Sequence, residues 1–364
     1  MSEKIRIKDI AERAGVSVGT VDRVLHNRPN VSKPALERVK RALEEMNYTP
    51  NKYASALAYN RSYQFATILP RHEQEAYWDE IEEGFARAEH DRSDFSVKVK
   101  TFYYERMNVD SFLEACKECM KCVPDGVVVV PSSLETTRLF TDKLHEKDIP
   151  FVMLDSYMPD LNPLSFFGQD SFCSGRFAAK ILMLVANHEK EIMLMKQTKN
   201  GKVLSKQQDN RESGFRHYMH DHFPEIKIVE IDLPIDLNDD AKGDESGAKG
   251  KYDDLLERFF KKHPHIHHGI TFNSKAHLVG NFLLQTNRRN VQIMGYDMVS
   301  KNAECLRQGS ISFLIAQHAY LQGYQSIETL FRAIALKEEV HPINYMPIEL
   351  LTKENVDFYR RTQL

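Results

Sequence analysis

The sequence predicts an α/β protein with a small helical domain at the N-terminus and two doubly wound, mostly parallel sheets behind it. Three helical segments with apolar faces fall within the first 50 residues, with no strand pattern between them. From residue 63 onward, short apolar runs alternate with helical stretches, which is typical of a parallel sheet covered on both faces. Because one sheet would not comfortably hold so many strands, we expect two halves.

The first two helices have the pattern of a helix-turn-helix. Apolar residues recur at helical spacing in the first one: Ile7, Ile10, Ala11 and Ala14. Gly15 can then take the left-handed conformation that ends a helix, and Ser17 can cap the next. The second helix presents three residues to the core: Val21, Val24 and Leu25. Two helices joined this way can place the second in a DNA major groove.

A third helix and a short linker helix follow. The third begins at Ser32, tolerates Pro34 in its first turn, and has an apolar face made by Leu36, Val39, Leu43 and Met46. Pro50 interrupts the helical pattern, and Asn51 can cap a new helix over 51–58. Since that helix is too short to be stable alone in water, we expect it to fold only against a partner.

The alternating region contains ten main strand candidates and nine helix candidates. The strands are expected at 65–70, 95–102, 125–130, 150–155, 164–168, 190–196, 226–233, 268–273, 291–296 and 311–316, with further strand-like residues at 343–352. The helices are expected at 77–91, 109–121, 133–147, 171–187, 211–222, 250–262, 275–286, 298–308 and 319–337. Ligands in such sheets bind beyond the carboxyl ends of the strands, so residues after each strand are site candidates. The Gly-, Asp- and Lys-rich stretch 237–251 predicts a surface loop.

Composition and charge restrict the class of protein. The chain is 42% hydrophobic with a formal net charge of −3, yet residues 1–63 hold 12 Lys and Arg against 7 Asp and Glu. A basic N-terminal domain on an acidic remainder suggests a polyanionic partner for that domain alone. No apolar run is long enough to span a bilayer, and the first residues lack the apolar core of a signal peptide. We therefore expect a cytoplasmic protein without a membrane partner.

Two clusters resemble metal sites but are poorly suited to one. Cys116, Cys119 and Cys122 form a C-x2-C-x2-C run, although a fourth nearby ligand is missing and 109–122 has a helical pattern. We expect reduced thiols that behave as small buried hydrophobes. The histidines of 263–268 have spacing unsuited to a single zinc ion. The sequence therefore predicts neither a metal nor a cofactor.

A resemblance to a known family rests on residues spread over 5–60. They are Lys8–Ala11, Ala14–Ser17, Thr20, Val21, Arg23–Leu25, Asn30–Ser32, Arg38, Val39, Asn47, Tyr48, Pro50, Asn51, Ala54 and Leu57. Through them the chain resembles the lactose repressor and galactose repressor (LacI/GalR) family of transcriptional regulators. The resemblance implies a helix-turn-helix domain, a hinge helix, and an effector domain like a type I periplasmic sugar-binding protein.

The implied domain boundaries follow the family plan. They are 1–50 for DNA binding, 51–62 for the hinge helix and linker, and 63–364 for effector binding and dimerisation. Within the last, we expect one subdomain at about 63–165 plus 292–320 and the other at about 166–291 plus 321–364.

By resemblance, the second helix reads the operator. Val18, Gly19 and Arg23 would face base edges, and Arg23 alone has a bidentate fork suited to guanine. Leu57 would enter the minor groove once the hinge helix forms, the alternative being burial against its own domain. The full set of implied DNA-binding residues is Ser17, Val18, Gly19, Thr20, Asp22, Arg23, Asn27, Ser32, Tyr48, Asn51, Ala54 and Leu57.

Two residues depart from the family pattern. Asp22 stands where Ser is common, and an acid so near phosphate is repulsive unless Arg23 or Arg28 pairs with it. Arg6 replaces the usual Thr and cannot accept a hydrogen bond from the first turn of the helix. Because Gly19 also offers no side chain for reading bases, the base preference of the operator stays open.

The implied effector site uses polar and aromatic residues that follow strands or begin helices. Planar Asp, Asn, Gln and Arg groups suit vicinal hydroxyls, and Tyr77 with Trp78 could stack on a sugar ring. The alternatives are a core role for Trp78 and surface or capping roles for the polar residues. The candidate effector-binding residues are Glu75, Tyr77, Trp78, Asp155, Asp170, Arg211, Asn273, Asp297 and Gln317.

Three function classes compete. The favoured hypothesis is a transcriptional regulator, expected to be a repressor of carbohydrate-utilisation genes, that binds a near-palindromic operator as a homodimer. A sugar or sugar-derived effector, a sugar acid included, would control it. The alternatives are a periplasmic-type solute-binding module, which has no use for residues 1–60, and an enzyme on the same scaffold. No G-x-G-x-x-G, P-loop or G-x-S-x-G pattern supports an enzyme. The absence of terminal leucine heptads favours a dimer over a tetramer.

Overall fold

The computed structural model describes residues 5–25, 28–46, 48, 53, 61–72, 77–199, 202–203, 205–235 and 252–359. The chain forms two compact units, Met1–Arg61 and Ser62–Leu364. The predicted linker helix over 51–58, apart from Tyr53, and the predicted loop over 237–251 lie outside the described residues. Within the described ranges, no helix is both long and apolar enough to cross a bilayer.

The N-terminal unit is the predicted three-helix domain. Its helices are α1 (Ile7–Ala14), α2 (Val18–Leu25) and α3 (Lys33–Glu45). Gly15 ends α1 with φ of 62° and ψ of 43°, the left-handed conformation that glycine adopts without a Cβ penalty. A small apolar core joins the helices, and it is centred on Ile10, Val21 and Val39, which are fully buried. The helix-turn-helix thus has the packing that its sequence pattern predicts.

The start of α1 is capped from inside the helix and not from Arg6. The Asp9 carboxylate accepts a hydrogen bond from the Arg6 backbone nitrogen at 2.8 Å, and this bond lowers the pKa of Asp9. A third-position acid that reaches back in this way satisfies an otherwise unpaired amide. On the opposite side, Arg13 donates from Nε and Nη2 to Glu45, joining α1 to α3.

The second unit is built on two sheets that meet the expectation from the sequence. Within the described ranges, the first sheet has the strand order β12-β5-β4-β3-β1-β2, and all its neighbours are parallel. Its strands are β1 (Tyr63–Pro70), β2 (Val97–Tyr104), β3 (Gly126–Val129), β4 (Phe151–Leu154), β5 (Ser165–Gly168) and β12 (Ile343–Tyr345). The helices that pack on it are α4 (Tyr77–Asp91), α5 (Val109–Lys121), α6 (Leu134–Glu146) and α12 (Ala319–Ile334).

The second sheet is parallel except at two pairs of strands. In the described part of the chain its order is β13-β11-β10-β9-β6-β7, with β8 also paired to β6. The strands are β6 (Glu191–Lys199), β7 (Lys202–Val203), β8 (Lys227–Pro234), β9 (His268–Thr271), β10 (Gln292–Tyr296), β11 (Phe313–Ala316) and β13 (Glu349–Leu351). The associated helices are α7 (Ser171–Ala186), α8 (Lys206–His222), α9 (Asp253–Lys262), α10 (His277–Gln285), α11 (Ser300–Gln308) and α13 (Val356–Tyr359). The antiparallel pairs are β11 with β13 and β6 with β7.

The sheet pairing corrects the subdomain assignment of the last third of the chain. The segment 292–320 was expected in the first subdomain, but β10 pairs with β9 and β11, and all three belong to the second sheet. The segment 321–364 was expected in the second subdomain, yet most of α12 and all of β12 belong with the first sheet. Strand β5, at 165–168, also pairs in the first sheet. Apolar strand patterns look alike in either sheet, so only the pairing could assign them.

Two glycines allow α12 to approach α4 closely. A Cβ on Gly84 would lie 2.2 Å from the Tyr320 carbonyl oxygen, and one on Gly323 would lie 2.1 Å from that of Ile81. At distances this short, only the hydrogen atom of a glycine fits between the two helices. At the edge of this helix pair, Arg92 binds both carboxylate oxygens of Glu328.

The cysteine run lies on α5 and its end. Cys116 and Cys119 are buried in the core of the first sheet, whereas Cys122 is exposed. Burial raises the pKa of Cys119 to about 12, so its thiol stays protonated. Cys116 and Cys119 therefore behave as buried apolar side chains, as the sequence predicts, whereas Cys122 does not.

Candidate functional sites

The first candidate site is the exposed face of α2. Val21 and Val24 are buried, while Val18 is 48% exposed and Gly19 and Arg23 are also exposed. Ser17 caps the helix by accepting from the Thr20 backbone nitrogen at 3.2 Å. A Cβ on Gly19 would have no neighbour closer than 3.9 Å, so the surface there is open. The helix thus presents a small, open surface with one guanidinium group.

Further residues predicted to contact DNA lie around this helix. Asp22 pairs with Arg28 at 3.3 Å, as the sequence argument requires for an acid in this position. Ser32 precedes α3, is exposed, and makes no side-chain cap hydrogen bond. Tyr48 packs against the core of the unit, and burial raises its pKa. Four other predicted contacts lie outside the described residues: Asn27, Asn51, Ala54 and Leu57.

The second candidate site is a cavity of about 240 Å³ in the second unit. Both sheets contribute residues that follow their strands, which is the position where doubly wound folds bind ligands. Seven of the predicted effector residues line it: Tyr77, Trp78, Asp155, Arg211, Asn273, Asp297 and Gln317. Cavities that bind drug-sized ligands have volumes of about 300 Å³ or more, so this cavity suits a smaller molecule.

Two buried aspartates occupy equivalent positions in the two halves. Asp155 follows β4 of the first sheet and Asp297 follows β10 of the second. Both have left-handed backbones, with φ of 69° and 68°. In each case the backbone nitrogen donates to a carbonyl of the neighbouring strand at 2.9 Å, from Phe167 and Ile315 respectively. The strand ends thus hold two carboxylates in backbone conformations that non-glycine residues adopt rarely.

Two glutamine side chains connect these carboxylates. Gln207 Nε2 donates to Asp155 Oδ1 at 2.9 Å and to Gln317 Oε1 at 3.0 Å. Gln317 Nε2 in turn donates to Asp297 Oδ1. The chain of hydrogen bonds runs from the first sheet to the second and orients both acids within the cavity.

Arg211 is the most buried cation at the site. It is 2% exposed, its Nη1 donates to the Phe272 carbonyl oxygen at 3.0 Å, and its guanidinium lies 4.1 Å from the centre of the Tyr296 ring. Its Nε and Nη2 have no hydrogen-bond partner among the described residues, and the same holds for Gln208 Nε2. Leaving such donors unpaired costs free energy, which a ligand with acceptor oxygens would recover.

Helix packing positions Arg211. Arg211 lies on α8, which packs against α7 at Gly175. A Cβ atom on Gly175 would lie 1.9 Å from the Arg211 carbonyl oxygen. A second contact is equally tight, because a Cβ on Gly214 would stand 2.0 Å from the Phe172 carbonyl oxygen. The absence of both side chains lets α8 lie close enough to bring Arg211 beneath Tyr296.

Burial changes the acidity of the two aspartates. It raises the pKa of Asp297 to about 6, although Arg211 and the Gln317 amide act in the opposite direction. Burial also raises the pKa of Asp155, again against the attraction of Arg211. A carboxyl group keeps acceptor oxygens in either protonation state, so a sugar hydroxyl could donate to both.

Aromatic side chains form one wall. Tyr77 and Trp78 begin α4 and pack edge to face at 5.0 Å. Arg106 lies over the Trp78 ring at 5.3 Å. Trp78 is 6% exposed, so it both lines the cavity and belongs to the packed interior. The two roles considered for this residue are thus compatible.

One predicted effector residue of the described ranges is not brought to the cavity. Asp170 caps α7, where its Oδ1 accepts from the Cys173 nitrogen at 2.8 Å, and it does not line the cavity. This corrects its predicted role, because a strand-following acid can equally cap the next helix. Glu75 lies outside the described residues.

Several cavity residues were missed by sequence reasoning. They are Arg71, His72, Arg106, Gln197, Ser205, Gln207, Gln208, Phe272, Ser274, Lys275, His277, Val299 and Lys301. Arg106 and Lys275 lie just past β2 and β9, so the rule of searching after each strand could have found them. Gln207 and Gln208 lie in the first turn of α8, ahead of the residue 211 where the helix was expected to begin.

One group at the cavity mouth could hold a cation. His72 Nε2 lies 3.1 Å from Asp79 and 3.3 Å from Glu82, and these three are the group of possible metal ligands found in the described part of the chain. His72 Nδ1 lies 2.9 Å from the Pro70 carbonyl oxygen. Burial lowers the pKa of His72, but Glu82 and Pro70 outweigh it and the net pKa is raised. A protonated His72 therefore satisfies both acids without an ion.

A larger depression of about 510 Å³ lies beside α11 and α13. Its lining includes Arg307 and Asp357, which pair with each other at 2.8 Å. None of the buried unpartnered donors found in the described ranges lies in it. The smaller cavity between the strand ends is therefore the better candidate for a polar ligand.

Comparison with known proteins matches both units. Residues 6–51 match the model of bacterial regulatory proteins of the lacI family, and residues 65–338 match the periplasmic binding protein domain. A crystal structure of a proposed LacI transcriptional regulator from Bacteroides fragilis has 40% identity and a TM-score of 0.76, covering 82% of this chain and all of that one.

Two curated relatives match over shorter regions. The transcriptional regulator DegA of Bacillus subtilis is 26% identical over 59% of this chain, and the ribose operon repressor of Halalkalibacterium halodurans is 29% identical over 63%. The chain spans 61% and 64% of their lengths, somewhat under two thirds.

Proposed function

Because the chain belongs to the lacI family of bacterial regulatory proteins, we propose that it is a transcriptional regulator, acting as a repressor of carbohydrate-utilisation genes. The observation that carries this proposal is the combination, in one chain, of an exposed helix-turn-helix face and a cavity whose buried donors lack partners among the described residues. The first can bind DNA and the second can bind a small polar effector. We assign no catalytic activity to the cavity.

The DNA target is a near-palindromic operator bound by a homodimer. Two copies of α2 would enter successive major grooves, with Arg23 donating to a guanine and Ser17, Thr20 and Ser32 contacting phosphates. Leu57 would act in the minor groove once the hinge helix forms. A protein with this role works in the cytoplasm and associates with the nucleoid while bound to its operator.

The effector is a sugar or a sugar derivative. Asp155 and Asp297 would accept from its hydroxyls, while Arg211, Gln208 and Asn273 would donate to its oxygens. Since the acids come from different sheets, a ligand that bridges them favours one arrangement of the two halves over another. Such unequal binding is what lets an effector shift the population between two states.

The alternative is a solute-binding module without a role in DNA regulation. Such a module would use the same cavity but would not account for the exposed face of α2. Sequence-specific binding to DNA separates the two hypotheses directly.

The test is fluorescence anisotropy of the full-length protein with a labelled duplex taken from upstream of its own gene. We expect tight binding that weakens steeply as NaCl rises, because Lys and Arg release counterions from phosphates. A scrambled duplex of the same composition is the control. Equal affinity for both duplexes, or no dependence on salt, would contradict the proposal.

A further inference from the structure

Three short chain segments connect the two halves of the second unit, one half being built on each sheet. The segment 169–170 joins β5 of the first sheet to α7, which packs on the second sheet. The segment 317–318 joins β11 of the second sheet to α12, which packs on the first. The segment 346–348 joins β12 of the first sheet to β13 of the second. A change in the arrangement of the halves therefore has to bend the chain at these few residues.

The side chain of Gln169, in the first segment, reaches the other two. Its Nε2 donates to the Ala316 carbonyl oxygen at 2.8 Å and to the Pro347 carbonyl oxygen at 2.7 Å. Ala316 directly precedes the second segment, and Pro347 lies in the third. Because both acceptors are carbonyl oxygens, the amide nitrogen has to face them. Gln169 is 3% exposed, so water competes little for these hydrogen bonds, which we call the hinge contact.

A series of hydrogen bonds connects the hinge contact to the cavity. Ser174 Oγ donates to Gln169 Oε1 at 3.2 Å and lies 3.1 Å from the Tyr296 hydroxyl oxygen. Since a serine hydroxyl has one hydrogen atom, the Tyr296 hydroxyl is the donor to Ser174. Burial raises the pKa of Tyr296 to about 12, so this donor keeps its proton at neutral pH. The guanidinium carbon of Arg211, a residue of the cavity lining, lies 4.1 Å from the centre of the Tyr296 ring.

Two other side-chain amides bind several carbonyl oxygens, but each stays within one half. Asn344 Nδ2 donates to the carbonyl oxygens of Phe166 at 3.3 Å and His341 at 3.1 Å, which lie in or beside strands of the first sheet. Asn302 Nδ2 donates to three carbonyl oxygens of the second half. Gln169 differs from both because its acceptors lie where the halves are connected. Asn344 thus offers a matched control for the loss of such an amide.

We infer that Gln169 is a positioning residue, which holds the three connecting segments together and limits how far the two halves open around the cavity. The inference rests on the proposed function and assigns the regulation of the same site. Arg211, which an effector in the cavity would contact, is joined to the hinge contact through Tyr296 and Ser174. An effector bound to Arg211 thereby favours one arrangement of the connecting segments over another, which is the unequal binding that a switch needs.

The first experiment measures acrylamide quenching of tryptophan fluorescence in the full-length protein without ligand. Trp78, the single tryptophan, is 6% exposed and lines the cavity together with second-half residues such as Asn273. Wider opening of the halves gives the quencher better access to this ring. We expect Gln169→Met, whose side chain has a similar length but no donor, to raise the Stern–Volmer constant by about twofold or more. Asn344→Leu is the control and should leave the constant unchanged.

The second experiment interrupts the series of hydrogen bonds with smaller changes. Ser174→Ala removes the donor to Gln169 Oε1, and Tyr296→Phe removes the donor to Ser174 while keeping the ring beside Arg211. Both variants retain the two Nε2 bonds, so each should raise the Stern–Volmer constant, but less than Gln169→Met does. Circular dichroism at the same temperature checks that each variant is folded. If Gln169→Met does not fold, these two variants decide the inference.

Contrary outcomes are distinguishable. An unchanged constant in folded Gln169→Met, an equal rise in Asn344→Leu, or unchanged constants in both Ser174→Ala and Tyr296→Phe overturns the inference. Quenching needs neither DNA nor effector, so it is independent of the operator experiment. If the constant rises but the protein does not distinguish its upstream duplex from the scrambled one, the regulator function fails and the hinge role stands. If operator binding is specific but the constant is unchanged, only the hinge role is wrong.

Discussion

Ionisation of Asp297 opposes folding, so we expect Asp297→Asn to stabilise the effector-free protein at neutral pH. Burial raises the pKa of this carboxyl from an ordinary value of 3.8 to about 6. Between these values the native chain holds a proton that the unfolded chain has released. The contribution of the group to stability is therefore present below pH 4 and is lost as pH rises through about 6. Asparagine keeps an acceptor oxygen for Gln317 and carries no charge.

The magnitude follows from the size of the pKa difference. One pKa unit corresponds to 1.36 kcal/mol, so a rise of roughly two units corresponds to about 3 kcal/mol. Asp297 is 6% exposed, so little solvent screening reduces this figure. We expect Asp297→Asn to raise the free energy of unfolding by about 3 kcal/mol at pH 8, with the gain falling below about 1 kcal/mol near pH 4.

Urea unfolding at a series of pH values, followed by tryptophan fluorescence, measures this difference. Trp78 is the chain's single tryptophan and lines the same cavity, so its signal reports on the unit that contains Asp297. Asp142→Asn, at an exposed position on α6, is the control and should show no such pH-dependent gain. A destabilised Asp297→Asn at pH 8, or a gain that does not vary with pH, would refute the reasoning.

The remaining predictions concern helix packing and the DNA-binding unit. Gly175→Ala should destabilise the second unit by about 1–3 kcal/mol and weaken effector binding, because its methyl group would collide with the Arg211 carbonyl oxygen; urea unfolding and calorimetry check both effects. Arg23→Ala should weaken operator binding by about 1–3 kcal/mol in an anisotropy titration, and an unchanged Kd would exclude base contact by this residue. Asp22→Asn should remove a negative charge beside the predicted phosphate contacts and steepen the slope of log K against log salt by about one; an unchanged slope would count against that placement. Val39→Ala should lower the stability of the N-terminal unit by about 2 kcal/mol, seen by circular dichroism without a change in the Trp78 transition.

Local periodicity was sufficient to predict most elements of the fold. Helix α4 spans 77–91 as expected, and β1 begins only two residues before its expected start. The main error in a helix boundary is α8, which begins at Lys206 and not at residue 211. Its first turn presents Gln207 and Gln208 to the cavity, so the buried face there is polar and gives no hydrophobic signal.

Part of the candidate site could also be predicted from the sequence, because ligand-binding residues in such sheets follow the strands. Asp155, Asp297 and Gln317 each follow an apolar strand, and the rule for doubly wound sheets finds them. Asp170 satisfies the same rule after β5 but caps α7 instead. The rule identifies residues at strand ends without saying which strand ends meet, because that depends on the order of strands in each sheet.

By itself the sequence determined the types of the elements, the helix-turn-helix, and the polar residues that end strands, because these depend on neighbours a few positions apart. Only the tertiary structure decided that β10 and β11 join the second sheet and that Gln207 links Asp155 to Gln317. It also decided that Arg211 Nε and Nη2 lack a hydrogen-bond partner among the described residues. The physical reason is that strand pairing and hydrogen-bond satisfaction are set by groups far apart in the chain, which no local pattern records.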